Sequence, residues 1–149
     1  MNIYGLLLLT VFVGGSYAMA QSDVAKERSA LMLGMHREAY SPLRQMVRGE
    51  RTFDSGFVAK AYETMENGLK KSSSLWPQNS PSDPKGRYRS SSKVWENKAD
   101  FEQRLLESQR LLSGTRVQSA SGLEGLKAAW PQVDKACNAC HETYRIRQQ

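Results

Sequence analysis

Cysteine and histidine are scarce in this chain, with two of each in 149 residues. Both cysteines belong to one C-x-x-C, so no disulfide framework can be built and stability has to come from a packed core. Strand signals are missing as well. No Val/Ile/Thr run alternates and no Asn-Gly pair joins two such runs as a hairpin signal, which predicts strand content near zero. Aromatic residues make up only 9% and no Lys/Arg run is interleaved with them. The net charge of +6 is therefore no footprint of nucleic-acid binding, and no nucleic acid is expected as a partner. A basic surface of this size suits acidic protein partners or weak contact with an anionic membrane surface. The chain has no internal repeat, and its length points to a single domain.

The first twenty residues lack Lys, Arg, Asp and Glu altogether. Their apolar run, Leu6 to Val13, falls short of the roughly 20 residues a membrane span needs, so no stable membrane insertion is expected. Ala18 and Ala20 supply the small-x-small pattern that signal peptidase cuts. We read residues 1–20 as a signal peptide and 21–149 as the mature, exported domain. An uncleaved N-terminal anchor is the alternative, since the segment has only its α-amino group for positive charge.

The mature chain reads as all-α. A first helix over about 23–48 carries Val24, Leu31, Met32, Met35, Leu43, Met46 and Val47 at three- and four-residue steps, with Pro42 inside it as a kink and Gly49 after it. Asp54 is a good N-cap for a second helix, about 55–71, with Phe57, Ala61, Met65 and Leu69 on its buried face. From Ser72 to Lys93 the chain is rich in Ser, Pro and Gly, a connection long enough to be a crossover or a functional loop. A third helix over about 98–113, with Phe101, Leu105 and Leu112, should stop near Gly114. The fourth opens on Ser121-Gly122-Leu123-Glu124, a capping-box pattern, and Pro131 should kink or restart it. Its apolar face runs through Leu123, Leu126, Trp130, Val133, Cys137, Cys140 and Tyr144. Four amphipathic helices and one long connection between the second and third predict an antiparallel four-helix bundle, a fold that takes cofactor ligands from inward positions.

Cys137-Asn138-Ala139-Cys140-His141 is C-x-x-C-H, the attachment pattern for one covalent haem c. Two thiols three residues apart sit about one helical turn from each other and can add across the two vinyl groups. The adjacent His141 then offers its imidazole to the iron from the same side. A thioredoxin-like redox pair would need a βαβ setting, which is absent. Half a zinc site would need a second cysteine pair, and the only other histidine is His36.

The motif stands at the C-terminus of the chain, and the order of motifs resembles the class II c-type cytochromes, the cytochrome c′ family with its low-spin members. Arg28-Ser29-Ala30-Leu31-Met32 is similar to the family's R-x-x-x-M on the first helix, and Leu75-Trp76-Pro77 to its aromatic-proline pair after the second. Lys93-Val94-Trp95 followed by Phe101 resembles the entry to the third helix, and Cys137 to Arg145 resembles C-x-x-C-H-x-x-Y-R. Pro131 departs from the pattern, because the family's last helix usually runs unbroken there. The resemblance implies a periplasmic haem protein in which Arg28 lies near the haem propionates and Arg145 flanks the haem. It also implies pairing into a homodimer through the first two helices. For Arg145 an exposed charge favourable to the helix dipole is an equal reading.

The sixth iron ligand decides the class of function. The resemblance puts Met32 opposite His141, and a thioether there would raise the potential and suit an electron carrier serving redox partner proteins. Met32 could instead be core filler beside a five-coordinate iron that binds nitric oxide or carbon monoxide as a scavenger or sensor. Met35 and His36 are further candidates for the same position. No distal His/Arg pair for O–O cleavage stands out, so the protein is not expected to be an enzyme.

Overall fold

The structure is a computed structural model that describes residues 14–78, 80 and 88–147, with side chains from Asp23 onward. Most of the segment read as a signal peptide, residues 1–13, lies outside the described residues. Helix α1 spans Gly14–Met35, a π turn follows over His36–Tyr40, and α2 spans Ser41–Val47. Together they form the first long rod of the bundle. The irregularity falls one turn before Pro42, because Pro42 has no N–H for the Glu38 carbonyl and its ring crowds that turn. The backbone widens instead, and the Ser41 N–H donates to the His36 carbonyl five residues back. Gly49, at φ 74°, closes α2 with its N–H on the Met46 carbonyl.

Helix α3, Ser55–Ser72, starts as expected on Asp54, whose side chain accepts from the Phe57 N–H at 2.9 Å. Short α4, Lys93–Glu96, follows the long connection, and α5 spans Lys98–Ala120. The expectation that this helix stops near Gly114 is wrong by nearly two turns. A glycine inside a helix costs about 1 kcal/mol, and buried polar packing beyond it outweighs that. The Tyr62 hydroxyl, fully buried, meets Thr115 Oγ1 at 3.1 Å and Ser119 Oγ at 2.5 Å, both on the α5 extension. Thr115 also reaches the Leu111 carbonyl, so Tyr62→Phe strands Ser119 first. That substitution should cost about 1–2 kcal/mol in chemical denaturation, and it leaves the helix count unchanged by circular dichroism.

Helix α6, Leu123–Tyr144, packs along α5 more extensively than any other pair of elements. The linker between them is only Ser121 and Gly122, which forces an antiparallel turn. The capping box does not form. Gly122 caps α6 at φ 153° without a side-chain bond, the Ser121 hydroxyl turns back to the Gln118 carbonyl, and Glu124 pairs with Lys127 at 2.8 Å. Gly125 sits against the Gln118 carbonyl, where a Cβ would come within 2.2 Å, so the tight corner rather than the box sets this start. Pro131 neither ends nor restarts the helix, which runs through it.

Leu43, Met46, Val58, Tyr62, Met65, Leu112, Leu126, Val133 and Ala136 form the main core between the four long segments. A second cluster of Val94, Phe101 and Tyr144, with Trp76 and Trp95, closes the end nearest Cys140 and His141. One strand pair departs from the expected absence of strands. Strand β1, Tyr88–Ser90, pairs antiparallel with β2, Arg145–Arg147, directly after α6. The Ser91 N–H donates to the Tyr144 carbonyl at 2.9 Å, so the helix end continues straight into this ribbon.

Candidate haem site

Helix α6 delivers Cys137, Cys140 and His141 in its last two turns. Both thiols are free and half-buried. Burial, then the charges of Asp134 and Cys140, pushes the Cys137 thiol up to about 12. Burial also raises Cys140, against the pull of the Ser108 hydroxyl, 4.0 Å from its sulfur, and of Arg104. Both therefore stay protonated at neutral pH. Burial drives His141 down to about 4, helped by the positive charges of Arg145 and His36. Its imidazole is neutral above that pH, with a lone pair to give to a metal. Two neutral thiols one turn apart and a neutral imidazole beside them fit covalent haem attachment and iron ligation.

Helix α5 holds this end of α6 in place. Arg104 donates to the Ala139 carbonyl at 3.0 Å and pairs through Nε with Asp100 at 2.7 Å. The Tyr144 hydroxyl donates to the same carboxylate. Those two hydrogen bonds, Tyr144 first, hold Asp100 below the usual carboxylate range. The turn that carries Cys140 and His141 is thus fixed from one side by a three-residue polar clasp.

Arg28, on α1, is buried (4% exposed) and sits in an aromatic cage. Its guanidinium lies 4.6 Å from the Trp76 ring centroid and 5.7 Å from that of Trp95. It donates to the Leu75 carbonyl at 2.9 Å and to Ser80 Oγ at 2.6 Å, which ties the long connection to α1. Trp95 Nε1 donates to the Pro77 carbonyl at 2.8 Å, and Phe101 meets both Trp76 and Tyr144 edge-on. The two tryptophans thus anchor the long connection.

Met32 is half-buried one turn beyond Arg28. Met35 is committed elsewhere: its sulfur lies 2.1 Å from where a Cβ on Gly68 would stand, so it is seated on α3. His36 is exposed and stacks on Tyr40 at 5.6 Å. Tyr40 leans on Trp130 at 5.2 Å and donates to Asp134 at 2.5 Å, one turn before Cys137. The sequence reading missed this His36–Tyr40–Trp130–Asp134 chain. Its one available signal was Pro42, which demands an irregular turn just upstream. Arg145 is exposed, opens β2, and packs over the Tyr88 ring at 4.7 Å.

Comparison with known proteins fits this geometry. The family described as Cytochrome C′ matches residues 23–145. The chain is 32% identical to a cytochrome c′ of Rhodopseudomonas palustris over 149 residues, 98% of this chain and 94% of the relative. It is 29% identical to cytochrome c-555 of Bradyrhizobium diazoefficiens over 143 residues, 95% of each. The solved structure of the Rhodopseudomonas palustris cytochrome c′ superposes with a TM-score of 0.77 at 27% identity, covering 85% of this chain and 98% of that one. The chain belongs to the cytochrome c′ family of four-helix-bundle proteins with covalently bound haem c.

Proposed function

We propose that this protein is a periplasmic one-electron carrier in which Cys137 and Cys140 bind the haem vinyl carbons and His141 and Met32 ligate the iron. The reading rests on one observation above all. Of the three first-helix candidates, Met35 is packed on Gly68 and His36 is exposed, which leaves half-buried Met32 as the thioether available to the haem side. Haem supplies the redox centre, whose potential a thioether raises by favouring ferrous iron. The chain's own part is to hold the two thiols and the imidazole on one helical surface, with the clasp of Asp100, Arg104 and Tyr144 limiting movement between oxidation states. Arg28 lies on the Met32 side, and its cage holds the connection over that end of the bundle.

A gas-binding role is the second reading, and the partial exposure of Met32 favours it: a sulfur that is not locked by packing can leave the iron open. Voltammetry of the holoprotein tests the first. A reversible one-electron wave that is unchanged by carbon monoxide over seconds supports the carrier. A wave that shifts at once on adding the gas supports the alternative.

Export belongs to the same proposal. Intact-mass measurement of protein from the periplasm should give residues 21–149 plus one haem, starting at Gln21. A mass of all 149 residues in a membrane fraction would make the first segment an anchor.

A further inference from the structure

We propose that the β1–β2 ribbon is the docking surface for an acidic electron-transfer protein, an inference that rests on the carrier reading. The ribbon leaves α6 four residues after His141, about one helical turn away, and the Ser91 N–H on the Tyr144 carbonyl ties it to that end of the helix. Six residues make it, and they include Arg89, Arg145 and Arg147 but no carboxylate. None of the ion pairs among the described residues involves Arg145 or Arg147.

Among the described residues, neither face of the ribbon covers a buried cluster. Alternation puts Tyr88, Ser90, Arg145 and Arg147 on one face and Arg89 and Ile146 on the other. Tyr88 is 42% exposed and Ile146 45%, and every residue of β2 is exposed. A lone two-stranded ribbon is marginal in water, so its folding is not explained by burial. On the first of these faces an exposed tyrosine is flanked by Arg145 and Arg147, which matches the composition of interface centres, where Tyr and Arg carry much of the energy. Charge of one sign beside the haem end, on a protein of net +6, selects a partner of the opposite sign.

The test uses the holoprotein and flavodoxin hydroquinone, a small acidic donor. One electron passes from the flavin, leaving its semiquinone, to ferric iron, which becomes ferrous. Neutral lumiflavin semiquinone, generated by a light flash, serves as the uncharged comparison. The flavodoxin rate should fall with added salt, and Arg147→Glu should lower it about threefold at low ionic strength and flatten the salt dependence. The lumiflavin rate should change less than about twofold. Removing residues 146–149 is the second variant and should act in the same direction. Flavodoxin rates that ignore both variants while the wild type reacts quickly overturn the docking surface alone. Equal losses with both reagents also overturn it, since the haem itself has then been disturbed. A wild type that is slow with both reagents overturns the carrier reading and the docking surface together.

Discussion

Met32→Ala should convert the iron from six-coordinate to five-coordinate and open it to added ligands. With Met32 as ligand, an incoming molecule would have to wait for the thioether to leave. If sulfur ligation is worth about 3 kcal/mol, the open form is on the order of one molecule in a hundred, and carbon monoxide binding to the ferrous protein is slowed about a hundredfold. The variant removes that delay. It should also lower the potential by on the order of 100 mV, because ferrous iron loses its soft ligand. Met35→Ala should do neither. Its sulfur fills the hollow over Gly68, so its loss leaves a cavity between α1 and α3 and costs stability, about 2–4 kcal/mol. Stopped-flow mixing with carbon monoxide separates the two positions. Equal acceleration by both variants would mean that the helix face, rather than one sulfur, guards the iron.

The second large effect concerns attachment. Cys137→Ser with Cys140→Ser removes both thiols and should leave no haem on the chain after acid-acetone extraction, when the protein is made with periplasmic maturation machinery. Either single variant should keep one thioether and yield less holoprotein. The thiols are protonated at neutral pH, with Cys137 pushed up to about 12, so they do not attack as thiolates unaided. Maturation of the wild type should accordingly depend on that machinery. Wild-type protein that loses all its haem to the solvent would contradict covalent attachment.

The proposed attachment motif stands in five adjacent letters, and thiol spacing with helical pitch places the two thiols one turn apart. The second helix was equally legible: Asp54 caps it, and nothing further along the chain competes. Three other features depended on contacts that no local pattern carries. Gly114 reads as a stop, yet Tyr62, some fifty residues away, buries its hydroxyl against Thr115 and Ser119 and keeps α5 going. Ser121 and Glu124 spell a capping box, but the two-residue corner crowds Gly125 onto the Gln118 carbonyl and turns the serine backward. Pro42 promised a kink. The chain met it with a π turn one step upstream, and that turn brings Tyr40 against Asp134 and Trp130.

Arg28 shows the same division at the site. Its place on the first helix was legible, and so was the nearness of an arginine to the aromatic-proline pair in chain order. That it is buried between Trp76 and Trp95, donating to Leu75 and Ser80, follows from the long connection folding back over α1. The β1–β2 ribbon was invisible for a related reason: three-residue strands carry too little alternation to register, and pairing Tyr88 with Arg147 joins positions far apart in the chain.

Whether His141 and Met32 both hold the iron can be read from electron paramagnetic resonance of the ferric holoprotein at neutral pH. Ligation by both gives a low-spin signal with a single unpaired electron in the wild type, replaced by a high-spin signal in Met32→Ala. A wild type that is already high-spin would contradict it, leaving Met32 as a neighbour of the haem and the protein as a binder of gases.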